Sequence, residues 1–146
     1  MNRRKTFKLL ALGLLAGGGA MTSWVAAAAT PARPHTPKGP VSTTDPEALR
    51  GGETRKVLDG RYFAGPSGRA YRAAAEIPDV MDHLYCYCEC EPAIGHKSLK
   101  SCFVDLHGAN CGICQEQAIM AWQLHRRGLS LLQIRHKVDQ AFSKRL

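Results

Sequence analysis

The stretch GICQEQAIMAWQLHRRGLSLLQIRHKVDQAF, residues 112–142, decides the fold class. Gly112 to Arg127 reads as a helix with Ile119 and Trp122 among its apolar positions. Gly128 follows as a stop, because glycine takes the left-handed conformation that ends a helix without steric cost. Ser130 with Gln133 three residues on is a capping box, in which side chains and backbone satisfy each other's free N–H groups. Leu131, Ile134, Val138 and Phe142 then recur at three- and four-residue spacing, the apolar stripe of a second helix. The joint between the two is very short, which predicts that they pack antiparallel.

Upstream, Val57-Leu58 and Tyr62-Phe63 read as apolar anchors ahead of a loop, Gly65-Pro66-Ser67-Gly68. Three consecutive alanines favour a helix over Arg69–Glu76. Pro78 interrupts it and is well placed to open a further helical turn, Pro78–Leu84. No internal repeat of solenoid period is present. The expected fold is therefore all-α: a small helical domain over residues 57–146, with a C-terminal antiparallel helical hairpin and an irregular Cys-rich loop.

The N-terminal third is read differently. Arg3, Arg4, Lys5 and Lys8 precede the apolar stretch Leu9–Val25, and Ala26–Ala29 offer a cleavage site. That is the layout of a secretory signal peptide over residues 1–29, which predicts export to the periplasm or beyond. Arg3-Arg4 with Phe7-Lys8-Leu9 resembles a twin-arginine signal, with Phe7 one place late. Residues 9–29 also approach bilayer-spanning length, so an uncleaved anchor is the competing reading. After cleavage no membrane association is expected. Residues 30–56 are rich in Pro, Thr and Gly and poor in large apolar side chains, the composition of a flexible linker. Four of the 20 Lys and Arg lie in residues 1–29 with no acid, so the remainder carries +4 of the chain's +8. Its basic groups, including Arg126-Arg127 and Arg135-His136-Lys137, read as solvated helix faces without interleaved aromatics, which argues against nucleic-acid binding.

All six cysteines fall in one 29-residue window: Cys86, Cys88, Cys90, Cys102, Cys111 and Cys114. In Cys86-Tyr87-Cys88-Glu89-Cys90 an extended backbone puts three sulfurs on one side. Cys111 and Cys114, at i and i+3, share a face at a helix start, where free N–H groups and the dipole favour thiolates and lower both pKa values. Six thiolates exceed the four ligands of a tetrahedral zinc, which points toward Cu(I) or a multinuclear site. His96 and His107 are candidate ligands or orienting groups. His83 caps a helical end or joins the site, and His125 packs the helical pair. Three readings stay open: a metal site, copper first and zinc second; a thiol oxidoreductase cycling Cys111 and Cys114; and three structural disulfides. Clustering and the neighbouring histidines place metal binding, without catalysis, ahead of the others. Gln115 rather than His follows the C-x-x-C, so c-type haem attachment is not indicated. Gly95-His96-Lys97-Ser98 lacks the earlier glycine of a phosphate loop, which leaves no nucleotide site.

Tyr85-Cys86-Tyr87-Cys88-Glu89-Cys90, with Gly95-His96-Lys97-Ser98-Leu99, Cys102-Phe103, His107-Gly108 and Cys111-Gly112-Ile113-Cys114-Gln115, resembles the bacterial CYCXC family of (seleno)proteins. That family is similar to the PCYCGC-motif (lipo)proteins of Gram-positive bacteria. The resemblance covers about Val57–Phe142 and implies an exported, mostly helical domain, with selenocysteine replacing a motif cysteine in some relatives. This chain has no selenocysteine and no lipobox, and Tyr85 and Glu89 stand where PCYCGC has Pro and Gly. Selenolate is a softer ligand and a better nucleophile than thiolate, so the resemblance weighs against structural disulfides. The expected role is metal sequestration, delivery or sensing, with a metal-delivery or redox protein as partner.

Overall fold

In the computed structural model, which describes residues 35–144, the C-terminal signals act where they stand. Helix α5 spans Gly112–Arg126 and α6 spans Leu131–Phe142. Gly128 takes φ 80° between them. Both halves of the Ser130–Gln133 capping box form, and the two helices pack as a pair. Before them come α1 (Gly65–Glu76), α2 (Pro78–Asp82), α3 (Cys90–Ile94) and α4 (His107–Asn110). Three 3-10 turns, Pro46–Leu49, Gly60–Tyr62 and Leu99–Phe103, complete an all-α domain with no strand among the described residues. The expected signal peptide and its anchor alternative lie outside those residues. No described helix is long and apolar enough to cross a membrane.

The main packing partner of α5 is α1 rather than α6. Ala70, Ala73 and Ala74 of α1 and Ala118 and Ala121 of α5 are buried, and such small side chains let two helices approach closely. Helix α1 starts earlier than expected: Gly65-Pro66-Ser67-Gly68 is its first turn, with Pro66 where a missing N–H is harmless. Gly68 is required there, since a Cβ would sit 2.2 Å from the carbonyl oxygen of Phe63. Phe63 stacks on Tyr71 with ring centroids 3.9 Å apart, while Tyr62, expected as an anchor, is 82% exposed.

Residues 35–56, expected to be a flexible linker, lie against the helices instead. They contribute little apolar surface beyond Leu49; polar groups hold them. Thr36 donates its N–H to Lys97 O at 2.8 Å, and the Asp82 carboxylate accepts from the N–H groups of Gly52 and Glu53, both at 3.0 Å. Composition does not reveal such capture, because the partners stand far away in sequence. Glu53 is buried and held by Arg55 and the Ser101 hydroxyl, at 2.7 and 2.9 Å. The Arg55 side chain, the Arg55 N–H and Ser101 lower its pKa from 4.5 to about 2. A lowered carboxyl pKa adds stability above its ordinary value, which is lost as pH falls toward the folded value. The urea midpoint should therefore drop between pH 4.5 and about 2. Glu53→Gln should be less stable at pH 7 and show a shallower drop in that window; equal slopes would refute the assignment.

A buried ion pair ties α6 to this segment. Arg135, expected on a solvated face, is 1% exposed. Its guanidinium binds both oxygens of Asp139 at 2.8 and 2.7 Å, and donates to His83 O, Pro37 O and Gly39 O. Tyr87 donates its hydroxyl to Asp139 at 2.8 Å. The C-terminal helix is thus wired to the cysteine loop.

Candidate metal centre

The loop before α3 is not extended. Tyr87 and Cys88 form a turn, Glu89 takes the left-handed conformation at φ 58°, and α3 begins at Cys90. The expected one-sided strip of three sulfurs is replaced by a wrap around a point. The Tyr87 N–H donates to Gln117 Oε1 at 3.1 Å, and Gln117 Nε2 donates to Tyr85 O at 3.0 Å. Gln117 is buried on α5, one turn after Cys114, so one side chain clamps the backbone of the first cysteine group to the helix of the last.

The sulfurs converge there. Cys86 Sγ lies 3.3 Å from Cys88, 3.4 Å from Cys114 and 3.5 Å from Cys102, and Cys114 lies 3.5 Å from Cys88. All four thiols of this set lie within 4.8 Å of one another. A tetrahedral zinc with Zn–S bonds of about 2.3 Å needs sulfurs about 3.8 Å apart, so a small outward movement fits an ion. Cys88, Cys90, Cys102 and His107 form a second set of the same compactness, and Cys88, His107, Cys111 and Cys114 a third. Cys88 belongs to all three. Cys86 has three close sulfur neighbours, which makes the cluster a shared polyhedron rather than three separate pairs. All six cysteines are free thiols.

Both predicted histidines reach the cluster, in different ways. His107 Nε2 lies 3.3 Å from Cys88 Sγ. His96 is in none of the three sets; its Nδ1 lies 3.4 Å from Cys102 Sγ and its Nε2 lies 3.1 Å from Asp105 Oδ2. The other Asp105 oxygen accepts from the His107 N–H at 2.8 Å, so one carboxylate positions both histidines. A carboxylate behind an imidazole fixes its orientation and raises its basicity. His83 is buried away from the site, with Nδ1 2.6 Å from Asp79 O, and His125 is exposed rather than packed.

Mutual hydrogen bonding drives the thiol pKa values apart. The thiols of Cys102, Cys114, Cys86 and Cys90 surround Cys88 and hold its pKa far down, because their hydrogen bonds stabilise its thiolate. Cys102 is pushed well up, first by Cys114, then by Cys86, Cys88 and Cys90. The helix-start expectation fails at Cys114. Cys102 and Cys86 pull it down, but the Cys88 thiolate and burial outweigh them and raise it to about 11.

The family model described as protein of unknown function with PCYCGC motif matches residues 64–145. The chain belongs to this family. No curated protein and no solved structure gives a significant match. The motif explains one departure. Its Gly position is occupied here by Glu89, the only described non-glycine residue with positive φ. A left-handed conformation costs a side-chain-bearing residue about 1–2 kcal/mol. The Glu89–Lys38 ion pair is about half exposed, and such pairs contribute about 0–1 kcal/mol. Glu89→Gly should therefore raise the unfolding free energy by about 1 kcal/mol. A thermal midpoint that falls instead would show the ion pair to be the stronger effect.

Two functional residues escaped the sequence reading. Gln117 was visible as the third member of a C-x-x-C-x-x-Q spacing, which puts it on the same helix face as Cys111 and Cys114. Asp105 stands two residues before His107, the spacing at which a side chain accepts from a backbone N–H.

Proposed function

We propose that this protein binds a soft or borderline transition metal, Cu(I) first and Zn(II) second, for sequestration, delivery or sensing outside the cytoplasm. The observation that carries this reading is the convergence of Cys86, Cys88, Cys102 and Cys114 around one point, with Cys90, Cys111, His107 and His96 bordering it. Thiolates select soft ions, and the resemblance to selenocysteine-bearing relatives favours the softer choice. Export by the twin-arginine route would allow loading in the cytoplasm, before oxidising conditions couple the thiols. Normal export of folded protein after Arg3-Arg4→Lys-Lys would overturn that route.

The test is anaerobic titration of reduced protein with Cu(I) and with Zn(II), followed by native mass spectrometry. At least one tightly held ion is expected. Protein that binds neither would overturn the reading, and a mass lower by six hydrogens in protein isolated without reductant would favour disulfide staples. One observation favours a thiol oxidoreductase as second reading: half-exposed Cys111 stands beside buried Cys114. It predicts exchange with a disulfide substrate, whose bond is reduced as Cys111 and Cys114 become a disulfide, and this exchange disappears in Cys111→Ser.

A further inference from the structure

The three donor sets overlap, and the overlap has its own consequence. Cys86, Cys88, Cys102 and Cys114 form an inner tetrad in which only Cys88 is not fully buried. Cys88, His107, Cys111 and Cys114 form an outer tetrad in which only Cys114 is buried. The two have an edge in common, Cys88–Cys114, whose sulfurs are 3.5 Å apart. A thiolate sulfur has lone pairs enough to bind two ions at once. Two tetrahedra that share an edge hold two ions bridged by the same two sulfurs.

We infer that the cluster holds two ions, an inner one on Cys86 and Cys102 and an outer one on His107 and Cys111, bridged by Cys88 and Cys114. This rests on the metal-binding reading above and deepens it. Charge supports it. One divalent ion among four thiolates leaves two uncompensated negative charges in a largely buried site, which is costly. A second divalent ion, bringing only the Cys111 thiolate and a neutral imidazole, leaves one. The chain places the outer donors accordingly: Cys111 is the N-cap of α5, His107 opens α4, and both are partly exposed. The outer ion is therefore the one that exchanges with solvent or a partner's ligands, and the inner ion is the one retained. Cys90 is left beside Cys102 at 3.4 Å, as a neighbour of the inner ion rather than a ligand of the outer one.

The probe is Zn(II), added anaerobically to the reduced full chain and counted by native mass spectrometry. Two ions are expected on the wild type and one on Cys111→Ser. The Cys111 and His107 side chains are partly exposed, so their substitution leaves the core intact; His107→Ala serves as the second variant and should also keep one. A wild type that takes a single ion overturns the two-ion inference and leaves the metal-binding reading standing; no zinc at all also overturns the inference, and the metal-binding reading falls with it only where Cu(I) is refused as well. Cys111→Ser that still takes two ions overturns the assignment of the outer site. With cadmium-113 as the ion, two resonances coupled to each other support shared thiolates, and two uncoupled resonances refute them.

Discussion

Cys88→Ser is expected to weaken binding of Cu(I) and Zn(II) by the reduced protein by more than about two orders of magnitude, while Cys90→Ser weakens it far less. Cys88 is the one donor common to all three compact sets, and it carries the thiolate that its neighbours stabilise. Structural zinc sites contribute about 10–16 kcal/mol, so each of four ligands accounts for roughly 3 kcal/mol, about two orders of magnitude in affinity. Loss of a donor shared between sets exceeds that. Competition against a chelator of known affinity measures it. Binding by Cys88→Ser within tenfold of wild type would show that the sets do not share this sulfur. The fold itself should survive, because serine is nearly isosteric and Cys88 is only partly buried.

Asp139→Ala is expected to destabilise the domain by about 3–5 kcal/mol, the cost of leaving a buried charge without its partner. Arg135 is 1% exposed, and among the described residues the carboxylate at 2.7–2.8 Å is the only anionic group it meets; its other partners there are carbonyls. The Tyr87 hydroxyl loses its acceptor in the same step. Metal affinity should fall as well, since Tyr87 stands between Cys86 and Cys88. Urea unfolding measures the first effect and the titration above the second. Replacing both partners, Arg135→Met with Asp139→Leu, should recover much of the stability, because an apolar pair leaves no buried charge. A double variant as unstable as Asp139→Ala would place the effect elsewhere.

The helical pair was legible because its signals are local. A capping box, a glycine stop and a four-residue apolar rhythm each act within a turn or two of chain. The identity of the site was legible for a similar reason: six cysteines in 29 residues need no fold to announce shared chemistry. The C-x-C-x-C conformation was not legible. Alternation predicts an extended strip, and the chain forms a turn, a left-handed residue and a helix start instead. Gln117, one turn past Cys114, holds the first of these from outside the segment.

Residues 35–56 make the same point from the other side. Their composition describes a chain that cannot bury enough surface to order itself, and that description holds for the segment alone. Asp82, Lys97 and Arg135 hold it by hydrogen bonds from more than 25 residues away. Arg135 misled for a related reason: a charged residue reads as solvated unless its partner is known, and Asp139 four residues on was the visible clue. Residues 112–142 specified their two helices and where each one ends. That α1, rather than α6, is the principal partner of α5, and that six cysteines and a histidine meet over the start of α5, came from tertiary packing. The physical reason is range. Caps and periodicity act between neighbours in sequence, whereas a polyhedron of sulfurs exists only once distant segments have been brought to one place.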